Sequence, residues 1–158
     1  MDFYNGYSGK ERDKKYEEYK RQRAAKLSVP AIPPCQLCGD DKAEVQPHSE
    51  DYSFPYRWLP PAEYMVCRSC HGWIHKRFNK PDDWNDFKSH IRRGGFGGEF
   101  STPAFSLERK EAAASRNAGR DYEWRPIVGR PVRQGTDWWE HLTLGKESLT
   151  ASWARPRR

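Results

Sequence analysis

All four cysteines of the chain fall into two Cys-x-x-Cys pairs, Cys35/Cys38 and Cys67/Cys70, separated by 28 residues. The second pair runs straight into His71, with His75 four residues further on. Thiolate sulfur is a soft donor, and two such pairs fill every position of a tetrahedral zinc ion. A site closed in this way is structural, so any chemistry must take place elsewhere. The competing reading is a disulfide framework, which belongs to oxidising compartments. The opening run "MDFYNGYSGKERDKK" has no apolar stretch of signal-peptide type, and no segment of the chain is apolar for long enough to span a membrane. A reducing, cytoplasmic setting and structural Zn2+ are therefore expected.

The histidines raise a separate question. The spacing predicts a helix from about Ser69 to Phe78, which puts His71 and His75 one turn apart on a single face, rotated away from the thiolates. Two imidazoles so placed form half of a divalent-metal site, or else a polar surface pair. A third histidine, His48, lies in "AEVQPHSED" (43–51), which has short-strand character. Glu50, two residues on, shares its side of that strand. "YMV", just before Cys67, reads as a second strand facing the same helix.

Cys35-x-x-Cys38, then His48 on a short strand, then "VCRSCH" with a histidine four residues on, resembles the zinc-stapled branch of the HNH endonucleases. The resemblance covers roughly residues 35–79. It implies a treble-clef, ββα-metal core that hydrolyses DNA phosphodiester bonds with one divalent metal (Mg2+, Mn2+, Ni2+ or Zn2+). His48 would be the general base, and His71 and His75 the metal ligands. In that family the residue before the base also binds the metal; here it is Pro47, and Glu50 is the nearest substitute ligand, followed by Asp51 and Glu63. The family's middle Asn has no counterpart in "PPAEYMVC". A near-neutral imidazole suits proton abstraction at physiological pH, and a cation stabilises charge developing on the phosphate. Arg68, Lys76 and Arg77 beside the helix would hold flanking phosphates.

The elements that must carry these groups are short of aliphatic residues. Leu, Ile, Val and Phe together number 23 of 158, whereas Trp and Tyr contribute seven and eight. Packing therefore has to come from rings and a metal staple, the latter being worth on the order of 10 kcal/mol. Charge is uneven: residues 1–29 carry +3, 30–65 carry −4 and 66–158 carry +7. An acidic stretch between basic flanks suits a cation site within a phosphate-binding surface. Equally, it suits charge that merely keeps an aromatic-rich chain in solution.

The fold class expected is α+β: a small zinc-bound treble-clef core with additional helices and irregular N- and C-terminal extensions. Residues 1–34 hold a charged, exposed helix (9–27) and a proline-rich linker; 35–79 form the core; 80–158 form a helical and extended, basic, Trp-rich region. Within the last, "NKPDDWNDFKSHIRRGG" reads as a helix with Pro81 in its first turn and Trp84, Phe87 and Ile91 on its core face. "GGFGGEF" reads as a flexible loop, 106–119 as a helix started by a Ser, and "DWWE" (137–140) as a capping box. The tail "WARPRR" is expected to be mobile. Arg92, Arg93, Arg125, Arg130 and Arg133 could follow a double-stranded DNA backbone or pack on the protein itself.

Two functions stand beside nuclease activity. One is a zinc module that binds nucleic acid without cutting it. The other is a docking or inhibitor protein working through the aromatic loop 52–64 or the C-terminal region. No membrane partner is expected.

Overall fold

The computed structural model describes residues 3–142. The element order is α1 (Gly9–Ala24), β1 (Val45–Ser49), β2 (Glu63–Cys67), α2 (Arg68–Lys76), α3 (Pro81–Arg92) and α4 (Pro103–Asn117), followed by a 3-10 turn at Trp138–His141. The two strands pair with each other, so the protein is a mixed helix and small-sheet, α+β structure. No helix among the described residues is long and apolar enough to cross a membrane. The tail "WARPRR" lies outside the described residues. By contact the chain forms two compact units, neither continuous in sequence.

The first unit takes in described residues 3–32 and 46–65. It begins with a tight hairpin in which Tyr4 and Tyr7 exchange backbone hydrogen bonds of 3.0 and 2.9 Å. Asn5 and Gly6 both have positive φ, at 49° and 80°, as a two-residue hairpin loop of this hand requires. Ser8 then opens α1 with a capping box to Glu11. The sequence predicts this helix as exposed, and most of it is. Lys15 is the exception, at 2% exposure. Its ammonium donates to the carbonyls of Asp51 (2.8 Å) and Arg57 (2.9 Å) and lies 3.5 Å from Glu63. Burial lowers the Lys15 pKa, and Glu63 and Asp51 oppose that shift. One buried lysine thus fixes the helix that composition alone marks as loosely held.

The second unit takes in residues 33–45 and 66–142. Its core is aromatic, as the composition demands. Trp73 stacks on Phe87 with ring centroids 5.4 Å apart, Phe100 meets both rings edge-on, and Trp84 stacks on Phe87. Trp84, Phe87 and Ile91 are all fully buried on one face of α3. Each such ring pair adds about 0.5–1.5 kcal/mol beyond its area term.

Three local expectations are corrected. Helix α4 starts at Pro103 after Thr102, not at Ser106, because Pro at the first helical position needs no amide partner. Asp137 precedes a 3-10 turn and makes no side-chain cap, and Glu140 pairs with Arg92 instead. The loop "GGFGGEF" is packed rather than slack, with Gly95 and Gly97 both buried.

Candidate metal centre

Cys35, Cys38, Cys67 and Cys70 are buried, and one sulfur from each lies within 4.8 Å of the others. The first pair sits in a knuckle. The Cys35 amide donates to the Asp40 carbonyl (2.9 Å) and the Gly39 amide to the Cys35 carbonyl (2.8 Å). Gly39 has φ +77°, a conformation that side chains resist. The second pair spans the β2–α2 junction: Cys67 ends the strand and is the N-cap of α2, and Cys70 faces inward from its first turn. Amides of Cys38 and Cys67 point at the Cys35 sulfur from 3.5 and 3.2 Å.

This donor set fits a soft cation. Hydrogen bonds from Cys38, Cys67 and Cys70 hold the Cys35 thiol well below its usual range, whereas Cys38 and Cys70 are pushed up by donating into the same cluster. Four sulfurs this close together are satisfied jointly by one metal ion. Gly97 closes the site from the α3–α4 connection: a Cβ there would lie 2.4 Å from the Cys70 sulfur. On the knuckle side, Arg133 donates to the Leu37 carbonyl (2.8 Å) and the Trp138 indole donates to the Gln36 carbonyl (3.0 Å).

His71 and His75 lie on one face of α2, as their spacing predicts, with their Nε2 atoms 2.9 Å apart. Two nitrogens held at about 2.1 Å by one ion, at right angles, stand about 3 Å apart. His48 is buried on β1, within the first unit. The His71–His75 pair is not part of the four-thiolate cluster.

Glu50 shares the His48 side of β1, as expected. Its Oε1 lies 2.6 Å from His48 Nε2. Tyr4 Oη donates to the same carboxylate oxygen (2.6 Å) and lies 3.0 Å from His48 Nε2. Asn5 Nδ2 donates to Glu50 Oε2 (2.9 Å) and to its carbonyl (2.8 Å). Glu50 therefore orients His48, and the N-terminal hairpin orients Glu50. Asp51 and Glu63 are likewise engaged, the first by Tyr7, Ser53 and Arg57, the second by Ser49 and Lys15. Burial alone would raise the Asp51 pKa, but hydrogen bonds from Ser53, Tyr7 and Arg57 outweigh it and hold the carboxyl below the usual range.

Tyr4, Asn5 and Lys15 had no place in the sequence-based site. A signal for the first two exists in "YNGY", an Asn-Gly turn between aromatic residues.

The basic residues divide sharply. Arg68 and Lys76 are exposed on α2, Lys76 with its ammonium 4.4 Å from the Trp73 ring centre. Arg77 is completely buried and donates to the Ile74 carbonyl, which removes it from any surface contact. Arg93 is buried against Glu108 (3.1 Å). Arg130 forms a two-pronged pair with Glu99 (2.8 and 2.6 Å). Arg92 holds the carbonyls of Arg133 and Gly135, and Arg125 pairs with Glu111. These arginines are engaged by carboxylates and carbonyls of the second unit itself.

No protein-family model, curated protein or solved structure matches the chain.

Proposed function

We propose that the protein is a metal-dependent endonuclease of the HNH type, built on a ββα-metal, treble-clef core stapled by Zn2+ at the four cysteines. The observation that carries this reading is the His71–His75 pair on α2, whose Nε2 atoms face each other apart from the four thiolates. His71 and His75 hold a divalent cation, for which their 2.9 Å nitrogen separation is suited. When bound, that ion supplies positive charge to the scissile phosphate and the departing oxygen.

His48 takes the proton from the attacking water. Glu50 fixes the ring of His48, and Tyr4 fixes Glu50. Arg68 and Lys76, exposed at the two ends of α2, hold phosphates either side of the cut. The substrate is DNA and the setting cytoplasmic.

Nicking of supercoiled plasmid with Mg2+, Mn2+ or Ni2+ tests the proposal. Wild type should convert supercoiled to open-circular DNA, and His48→Ala, with unchanged zinc content and melting temperature, should not. Inert wild-type protein with every one of these metals would refute it.

A second reading has its own support. Pro47 carries no ligand atom, and the Glu50 carboxylate is already held by Tyr4, Asn5 and His48. A core so arranged also fits a protein that binds nucleic acid without cutting it. Salt-dependent DNA binding by inert wild-type protein would select this second reading.

A further inference from the structure

Beside α1, within the first unit, lies an open groove of about 790 Å3. One wall is helix; the other is formed by Phe54, Tyr56 and Trp58 from the segment after β1. These are alternate residues of a segment that bends at Phe54 and Pro55. Their rings meet edge to face, with centroids 5.6 Å apart between Phe54 and Tyr56 and 6.0 Å between Tyr56 and Trp58. Phe54 is 84% exposed, which is unusual for a large apolar ring beside a concave surface.

The charge of the helical wall decides what the rings face. Its glutamates are neutralised along the helix, Glu17 by Lys20 and Glu18 by Arg21, each pair at 2.6 Å. Lys10 and Lys14, one turn apart, form no ion pair among the described residues. The groove therefore offers Lys10 and Lys14, with Asp13 between them in sequence, on one side, and the exposed Phe54 ring with half-buried Tyr56 and Trp58 on the other. A polyproline peptide would use the rings, but it has no charge for the lysines. An extended chain of phosphates and unstacked bases uses both walls at once.

We propose that this groove binds single-stranded nucleic acid, with bases stacked on Phe54 and its neighbouring rings and phosphates paired with Lys10 and Lys14. The inference goes beyond the cleavage proposal and does not depend on a metal at the histidines.

Fluorescence anisotropy of a labelled 12-nucleotide oligothymidylate, titrated with zinc-loaded protein and no added divalent metal, tests it. Phe54→Ala should weaken binding about tenfold and Phe54→Tyr should preserve it. Lys10→Ala with Lys14→Ala should flatten the salt dependence by about 1.4 log units per log unit. His48→Ala should bind like wild type, so a failed nuclease leaves this result standing. Three outcomes overturn the proposal: no oligonucleotide binding at low salt, equal binding by wild type and Phe54→Ala, or capture of a proline-rich peptide in place of the oligonucleotide. Unchanged thermal melting of Phe54→Ala confirms that the readout reports the surface and not the fold.

Discussion

The Nε2 atoms of His71 and His75 face each other across 2.9 Å on α2, a distance suited to a shared proton or a shared cation. Helical spacing alone brings two such residues to the same face but does not point their nitrogens at one another. The pair is therefore the part of the chain most directly testable for a second metal.

Replacing either histidine by alanine should weaken Ni2+ or Co2+ binding at least about tenfold while leaving one tightly held zinc per chain. Isothermal titration of zinc-loaded protein, with metal content by elemental analysis, separates the two classes of site. Loss of the tight zinc in His71→Ala would show that the thiolate and imidazole groups are not independent.

Gly97→Ala places a methyl group 2.4 Å from the Cys70 sulfur, inside any allowed contact. The α3–α4 connection or the ligand must shift, at a cost of about 1–3 kcal/mol. Urea unfolding should show the loss, and zinc release to a chromogenic chelator should accelerate. Gly98→Ala, where the nearest atom is the Ser69 hydroxyl at 3.8 Å, is the control and should change neither.

His90 gives a prediction in pH. Burial pushes its pKa down to about 4 from an ordinary 6.5, while its Nε2–H donates to the Phe96 carbonyl at 3.0 Å. The folded protein thus keeps His90 neutral where the unfolded chain protonates it. Between pH 6.5 and 4 the unfolded state binds more protons, so stability rises with pH. The contribution is complete above 6.5 and falls away as pH drops toward 4, by roughly 3 kcal/mol across the window. His90→Gln, whose amide can still donate to Phe96, should show a shallower acid limb in urea denaturation at pH 7 and pH 5. Parallel limbs would show that the acid sensitivity arises from groups other than His90.

Lys15→Met removes the ammonium that holds Asp51, Arg57 and Glu63 to α1. It leaves Glu63, 3% exposed, without its cation, a loss of about 3 kcal/mol. Amides of Gly9–Ala24 should lose hydrogen-exchange protection more than those of α3. Adding Glu63→Gln should restore part of the loss.

Where a local rule was sufficient, the sequence carried the structure. The α2 and α3 boundaries follow from spacing, from Pro81 at a helix start and from Gly94 at φ +87° just past the end. The cysteine cluster and the His48–Glu50 pairing follow from residue type and strand period. Arginine is where that legibility ends. Arg77, Arg93 and Arg130 have the composition of a phosphate surface, yet their partners lie at Ile74, Glu108 and Glu99, and only the fold decides which acids face them. The N-terminal hairpin was hidden for the same reason, because Tyr4 and Glu50 are 46 residues apart.

The hydrogen bond from Arg133 to the Leu37 carbonyl joins residues 96 positions apart, and it bears on how the protein is made. All four sulfur ligands precede Arg133 and Trp138 in the chain, so each is synthesised before those two residues can reach the knuckle. The nascent chain can thus present its thiolates early and close over them late. A chain stopped short of Arg133 should keep every ligand but exchange a bound metal ion faster.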